Sequence, residues 1–166
     1  MAEIFEANLD LTVHSQAVLE LLSAYALDPM GNGAPLTPEV LKELIPGLLQ
    51  HPTTLIFLAF HDNKAVGMVI CFKGFSTFQS RPMINISDFY LQPDYRGLKI
   101  GQKLLATVEK KAIELNCCKI TLEVQENNHH AKRIYNTAGF NPEVHVKEAG
   151  SAVVFSKPIS PHLKSH

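Results

Sequence analysis

The sequence lacks the features that assign many proteins to a functional class at once. It has no tryptophan and only 3 cysteines among 166 residues, two of them adjacent at Cys117 and Cys118. An odd count with two adjacent members does not form a disulfide framework, and adjacent cysteines lack the two-residue gap of a zinc knuckle. We therefore expect free thiols in a reducing cytoplasm and no bound metal.

The charge and the hydropathy also exclude several kinds of partner. The net charge is −1 and the pI is near 6.7, without the basic excess that nucleic acid or an anionic membrane attracts. No apolar run reaches the ~18 residues of a membrane span. Residues 1–6 lack the basic and apolar stretches of a signal peptide. The sequence predicts a cytoplasmic protein that binds neither nucleic acid nor membrane.

The composition is that of a folded protein, with 46% hydrophobic and 19% charged residues, and the length fits a single domain over residues 1–166. Apolar periodicity predicts a mixed α/β order with antiparallel hairpins flanking a strand–helix–strand core. The predicted elements are a strand at 3–7, a helix at 12–25, a loop at 28–35, a helix from Thr37, strands at 54–60 and 65–72, a loop at 74–82, a strand at 83–91, a long helix from Ile100, a strand at 119–124, a short helix before Gly139, and a closing hairpin of 144–146 with 152–156.

A candidate anion site lies between the strand at 83–91 and the long helix. The segment Arg96–Gly101 reads RGLKIG. A helix N-terminus carries unpaired N–H groups and partial positive charge, and a glycine turn lets a phosphate approach them closely. The segment is neither a P-loop nor a dinucleotide fingerprint. By itself it is compatible with a pyrophosphate site or with an ordinary strand-to-helix turn carrying two surface bases.

A second segment follows the strand at 119–124 and reads NHHAKRIYNTAGF from Asn128 to Phe140. The two segments together resemble the signatures of the GNAT N-acetyltransferase superfamily. The first signature is Arg/Gln-x-x-Gly-x-Gly/Ala after a strand that ends in apolar-x-Pro. The second is Asn-x-x-Ala-x-x-x-Tyr-x-x-x-Gly-Phe, and it matches at every fixed position. The resemblance covers about residues 54–157.

This resemblance implies a mostly antiparallel sheet of six to seven strands with a central parallel pair and about four helices. It also implies acetyl-CoA as co-substrate and direct acetyl transfer to a primary amine. The implied cofactor contacts are Phe89, Tyr90, Leu91, Arg96, Gly97, Leu98, Lys99, Ile100, Gly101, Gln102, Asn128, Ala131 and Tyr135. The family usually has glycine at the position of Lys99. Lysine fits there if its side chain points to solvent or to a phosphate, and not if the backbone needs a positive φ.

Two residues are candidates for proton transfer. The resemblance places Tyr135 near the coenzyme sulfur, as acid for the leaving thiolate, although a packed aromatic is the alternative. Asp88 is the candidate base or amine-orienting group, because a carboxylate within an apolar strand is costly unless it faces a cleft or a partner. A cross-sheet ion pair is the alternative for Asp88, and Ser87 could relay a proton through water. His129 and His130 are adjacent and read as surface or cap residues.

The acceptor amine is less well defined by the sequence. The run from Asp88 to Gly97 resembles the diamine or polyamine/thialysine branch of the family. In the fold that the resemblance implies, the loops at 28–35 and 74–82 form the walls of the acceptor pocket. One acid and two aromatics could hold a cationic amine there, or they could belong to folded-over loops. We expect a small-molecule amine, with a protein or peptide N-acetyltransferase and a non-catalytic CoA-binding module as alternatives, and both a monomer and a homodimer remain open. The candidate substrate residues are Asp28, Met30, Phe75, Phe78 and Ser87.

Overall fold

The computed structural model describes residues 1–143 and 146–159. Within these residues a five-stranded sheet carries helices on both faces. The elements are β1 (Glu3–Glu6), α1 (Thr12–Leu27), α2 (Pro38–Gln50), β2 (Thr54–His61), β3 (Lys64–Ser76), β4 (Arg81–Leu91), α3 (Ile100–Glu114), β5 (Ile120–Leu122) and α4 (His129–Thr137), with short 3-10 turns at Pro93–Tyr95 and Lys147–Ala149.

The strands lie in the order β1-β2-β3-β4-β5. The first four are antiparallel neighbours, and β5 runs parallel to β4 after the crossover through α3. The β2–β3 turn places Asp62 and Asn63 at φ 49° and 61°. Two consecutive positive φ values are typical of the tight hairpin turns that match strand twist, and Asp and Asn tolerate them better than most residues.

Each face of the sheet has its own apolar core. Leu104 and Val108 of α3 pack with Val69 and Ile84 on one face. On the other face, Leu21 of α1 packs with Met68 and its neighbours. Side chains cap two of the helix starts. Thr37 accepts a hydrogen bond from the Val40 N–H at 3.2 Å, with Pro38 at the first helical position, and Asn128 caps α4.

A bulge in β4 exchanges the faces of that strand. Ile86 lies opposite Cys71, but the next pair is Asp88 with Ile70, so Ser87 has no partner on β3. Side chains on a regular strand alternate between faces, and one extra residue reverses the alternation. Ile86 and Phe89 therefore both face α3, whereas Asp88 lies on the α1 face.

The prediction of six to seven strands is wrong for the described residues, which contain five. The missing element is the closing hairpin. Residues 144 and 145 lie outside the described residues, and 152–156 form no strand. A segment with alternating valines forms a strand only where a neighbouring strand offers an edge for pairing. Here β5 offers a ladder of three residues, and Val153, Val154 and Phe155 stay exposed.

The predicted loop at 74–82 is mostly strand, which is a second correction. Strand β3 continues to Ser76 and β4 begins at Arg81, so only residues 77–80 turn. Arg81 secures this end because its guanidinium donates to the Asn116 carbonyl and side-chain oxygens at 3.1 and 2.7 Å. In the part of the chain that the structure describes, no helix is long and apolar enough to cross a membrane.

Candidate active site

A cleft of about 1220 Å³ opens where β4 and β5 diverge. The two strands pair only from Ile84 with Ile120 to Ile86 with Leu122. Beyond this point the bulge at Ser87 turns β4 away, and the N-terminal ends of α3 and α4 contribute the next lining residues. Cleft formation therefore follows from the short parallel pairing, which leaves the end of β4 without a neighbour on that side.

The end of β4 presents backbone groups to this cleft. The Gln92 N–H donates to the Val66 carbonyl at 2.8 Å, on the β3 side. On a strand, the N–H and C=O groups of one residue point to the same side, and those of the next residue point to the other side. The N–H and C=O of Phe89 and of Leu91 therefore point toward the cleft, and those of Tyr90 point toward β3. The Leu91 carbonyl accordingly accepts a hydrogen bond from Arg96 Nε at 3.0 Å. The cleft thus contains a strand edge whose N–H groups can bind an oxygen.

The segment Arg96–Gly101 leads into α3 with two left-handed residues. Gly97 has φ 81°, and Lys99, at the N-cap of α3, has φ 64° and ψ 12°. Lys99 therefore has the positive φ that disfavours a lysine at this position, and the chain adopts this conformation at a cost of roughly 1–2 kcal/mol. A Cβ on Gly101 would lie 3.1 Å from the Phe89 ring, so a residue without a side chain lets α3 approach β4 closely.

Helix α4 supplies the opposite wall. The Asn128 side chain accepts a hydrogen bond from the Ala131 N–H at 3.1 Å, so it is committed to the helix cap. Tyr135 lies deeper, 8% exposed, with ring centroids of Phe89 and Phe140 at 5.7 and 6.0 Å. Burial raises the pKa of Tyr135 far above its ordinary value. Tyr135 therefore lines the cleft as a neutral phenol that keeps its proton.

Asp88 lies behind the cleft wall, whereas Ser87 lines it. Burial raises the pKa of Asp88, and a side-chain hydrogen bond with Ser87 lowers it by less. Among the described residues no lysine or arginine forms an ion pair with Asp88. The cross-sheet ion pair is therefore not present, and Asp88 lies opposite Ile70 instead.

The start of the loop after α1 borders the other end of the cleft. Asp28 Oδ2 is 3.2 Å from Arg96 Nη2, with the two side chains 17% and 36% exposed. Asp28 Oδ1 accepts from the Met30 N–H at 2.9 Å. Both Asp28 and Met30 line the cleft. The sequence assigned Asp28 to an amine and Arg96 to a cofactor, but here the two side chains bind each other.

Comparison with known proteins identifies this arrangement. The sequence profile of the acetyltransferase (GNAT) family matches residues 17–140. The chain belongs to this family.

The similar proteins act on different amines. An N-alpha-acetyltransferase MAK3 of Arabidopsis thaliana is 35% identical over 86 residues, covering 52% of this chain and 44% of that protein. A thialysine N-epsilon-acetyltransferase of Bos taurus is 32% identical over 74 residues, covering 45% and 43%. This GNAT chain thus aligns with about half the length of these relatives. A crystal structure of a probable acetyltransferase matches with a TM-score of 0.79 at 20% identity, covering 95% of this chain and 98% of that one, and supports the fold alone.

Most of the predicted site residues come together in the cleft of this GNAT domain. Those that line it are Asp28, Met30, Ser87, Phe89, Tyr90, Leu91, Arg96, Gly97, Lys99, Gly101, Gln102, Asn128, Ala131 and Tyr135. Leu98 is exposed outside it, and Ile100 is buried in the α3-side core. Phe75 and Phe78 lie on the β3–β4 hairpin, 60% and 103% exposed, and do not line the cleft.

Tyr25 is a lining residue that the sequence analysis does not single out. Its ring centroid is 5.4 Å from that of Tyr90. Burial raises the pKa of Tyr25, with further contributions from the negative charges of Asp88 and Asp28. The available signal was its spacing, since Tyr25 follows the buried Leu21 by four residues on α1.

The described residues contain no group of three or more histidine, cysteine or acidic side chains placed to hold a metal ion. Cys71 is buried and Cys117 and Cys118 are partly buried, all as free thiols.

Proposed function

We propose that this GNAT domain transfers the acetyl group of acetyl-CoA directly to a primary amine, and that the amine belongs to a small molecule. The observation that carries the proposal is the end of β4, where Leu91 directs its N–H into the cleft between the α3 N-terminus and Tyr135. We call the residues Arg96–Gln102 and Asn128–Tyr135 the cofactor side. We call Tyr25–Gly31 with Ser87 and Asp88 the acceptor side.

On the cofactor side, the N–H groups at the start of α3 would bind the pyrophosphate. Lys99 adds a positive charge beside them, and Arg96 contributes through its backbone. The pantetheine arm would follow the unpaired edge of β4 at Phe89 and Leu91, with Asn128, Ala131 and Gln102 along the opposite wall. A cleft of about 1220 Å³ exceeds the volume of ordinary small-ligand pockets, as a long, extended ligand requires.

In the proposed reaction the amine nitrogen forms a bond to the thioester carbonyl carbon. The carbonyl oxygen gains charge and accepts a hydrogen bond from the Leu91 N–H. The carbon–sulfur bond then breaks, and Tyr135 gives a proton to the departing thiolate. The nitrogen loses one proton through a water at Ser87 to Asp88. The attacking nitrogen is the neutral amine, which loses one proton while one reaches the sulfur, so the products are an amide and a free thiol. Exchange with solvent water then removes the proton from Asp88 and returns one to Tyr135.

The acceptor side supports a compact cationic amine. It combines the rings of Tyr25 and Tyr90 with Ser87, behind which Asp88 lies, and aromatic faces attract cations. The similarity to the bovine thialysine enzyme and the resemblance of residues 88–97 to that branch agree with this assignment. A protein N-terminus is the second candidate, because the chain is similar to the N-alpha-acetyltransferase of Arabidopsis thaliana.

A thiol-release assay with acetyl-CoA tests the proposal. The panel should contain diamines, polyamines, thialysine, lysine and peptides with free N-termini, each also tested in its N-acetylated form as a matched control. We expect release with one of the small amines and none with its acetylated form. Release with peptides alone would favour the second candidate. Binding of acetyl-CoA in calorimetry without release from any amine would identify a non-catalytic module and overturn the proposal.

A further inference from the structure

The guanidinium of Arg96 contacts three groups on the acceptor side and at the end of β4. It donates to the Leu91 carbonyl at 3.0 Å and to Asp28 Oδ2 at 3.2 Å, and its centre lies 5.8 Å from the Tyr90 ring centroid. A planar guanidinium with several donors in a fixed fork can hold two partners in one geometry, which a lysine ammonium does not do.

The first of these partners belongs to a peptide group that is held from both sides. The Leu91 carbonyl accepts from Arg96, and the N–H of the same peptide, that of Gln92, donates to the Val66 carbonyl at 2.8 Å. The peptide plane is fixed by these two bonds, since a peptide group is rigid. The Leu91 carbonyl, at the end of β4 beside the cleft, is held in place as a consequence.

The second partner is the residue at which α1 ends. Asp28 is the C-cap of α1, and it bonds to the loop through Met30 N–H at 2.9 Å and Gly31 N–H at 2.8 Å. The loop returns tightly against α1, since a Cβ on Gly31 would lie 2.0 Å from the Tyr25 carbonyl oxygen. A contact that fixes Asp28 therefore also fixes the segment Tyr25–Gly31 on the acceptor side.

We propose that Arg96 is a positioning residue that fixes the acceptor side of the cleft to the end of β4 through Asp28 and the Leu91 carbonyl. This inference rests on the proposed acetyl transfer, and it gives the first residue of the phosphate-loop signature a different task from phosphate binding. Asp28 then acts as the partner of Arg96 and not as the acid that binds the amine. The amine is left to Ser87 and the two tyrosine rings, with Asp88 acting through Ser87.

A double-mutant cycle with Asp28→Asn and Arg96→Gln tests this role. Asparagine keeps a side-chain oxygen for the Met30 N–H and replaces the oxygen that accepts from Arg96 with an NH2 group, which cannot accept. We expect each single variant to lower kcat/KM for the active amine about 10-fold, mainly through KM, while the Kd of acetyl-CoA changes less than about 2-fold. Because both substitutions break the contact between Arg96 and Asp28, the double variant should be no worse than Arg96→Gln alone, which also loses the bond to the Leu91 carbonyl. Arg96→Lys should recover part of the loss.

The matched control is Glu20→Gln, which removes one charge from an exposed position of α1 and should leave all constants unchanged. Independent losses that multiply to about 100-fold would overturn the proposal. A 10-fold weaker Kd of acetyl-CoA in Arg96→Gln but not in Asp28→Asn would assign Arg96 to phosphate binding and overturn it too.

Hydrogen exchange separates this inference from the proposed function. In both single variants we expect the Gly31 and Ala34 amides, which donate to Asp28 and Ala26, to exchange about 10-fold faster at unchanged Tm. If no amine is acetylated but exchange accelerates, the proposed function fails and the positioning role stands. If acetylation occurs and exchange is unaffected, the positioning role fails and the function stands.

Discussion

The cofactor side and the acceptor side of the cleft are built in different ways. The cofactor side consists of two helix starts, with Lys99 and Asn128 at their N-caps and Gly101 at a close helix–strand contact. The acceptor side consists of the end of α1, a bulge in β4 and an ion pair between residues 68 positions apart in the chain. Local backbone requirements define the first, and tertiary contacts define the second. Substitutions on the two sides should therefore have effects of different kinds.

The largest expected effect is that of Tyr135→Phe on the cofactor side. Phenylalanine preserves the ring contacts with Phe89 and Phe140 and removes only the hydroxyl, so folding should be retained. We expect kcat to fall about 100-fold, the lower end of general acid catalysis, with the Kd of acetyl-CoA unchanged. Steady-state kinetics and calorimetry measure the two constants. Tyr95→Phe, at the 3-10 turn outside the cleft, is the control, and an unchanged kcat in Tyr135→Phe would remove the acid role.

Asp88→Asn should show that Asp88 contributes to activity and reduces the stability of the fold. We expect kcat/KM to fall roughly 10-fold, since Asp88 acts through Ser87 and water. Burial raises the pKa of Asp88 above the ordinary value of 3.8, so the folded state holds this proton more tightly than the unfolded state. The stability of the wild type must then fall as pH rises from about 3.8 through the raised pKa.

The asparagine variant lacks this titration, so it should be more stable than the wild type at neutral pH and lose the advantage in acid. Urea denaturation at pH 3 and at pH 7, compared with Asp94→Asn at an exposed position, measures the difference. A variant that is less stable than the wild type at pH 7 would contradict the raised pKa.

A smaller effect should come from Lys99→Gly, which tests whether backbone geometry defines the cofactor side. Glycine adopts φ 64° without the clash that lysine suffers, so the free energy of unfolding should rise by about 1 kcal/mol. Loss of the side-chain charge should make acetyl-CoA binding less sensitive to salt. Asn63→Gly, at φ 61° in the β2–β3 turn, is the control and should stabilise less with no effect on binding. Equal stabilisation by both would show that lysine is unstrained.

The smallest expected effect is that of Phe78→Ser. This side chain is fully exposed at the tip of the β3–β4 hairpin and does not line the cleft. We expect kcat/KM to change by less than about 2-fold and Tm by less than about 1 °C, because surface substitutions of this kind are nearly neutral. A large increase in the KM of the amine would show that the β3–β4 hairpin belongs to the acceptor side.

The same contrast explains what the sequence could predict. Thr37 and Asn128 cap helices through bonds to residues three positions away, and such local rules are readable from one sequence. Tyr25, by contrast, enters the site because of how α1 packs on the sheet. The bond between Arg96 and Asp28 depends on the loop after α1 returning to β4. The absence of a strand at 152–156 follows from the short β4–β5 pairing, which no periodicity encodes.

The bulge at Ser87 has a consequence for how this strand can vary. The extra residue shifts the alternation of side chains by one position. The positions that must be apolar are therefore even-numbered in the first half of β4 and odd-numbered in the second half. In residues 83–86 the even positions contribute to the α3-side core, and in residues 88–91 the odd positions do. Sequence drift in one half therefore leaves the pattern of the other intact. The end of β4 that lines the cleft at Leu91 can diversify without rebuilding the sheet that supports it.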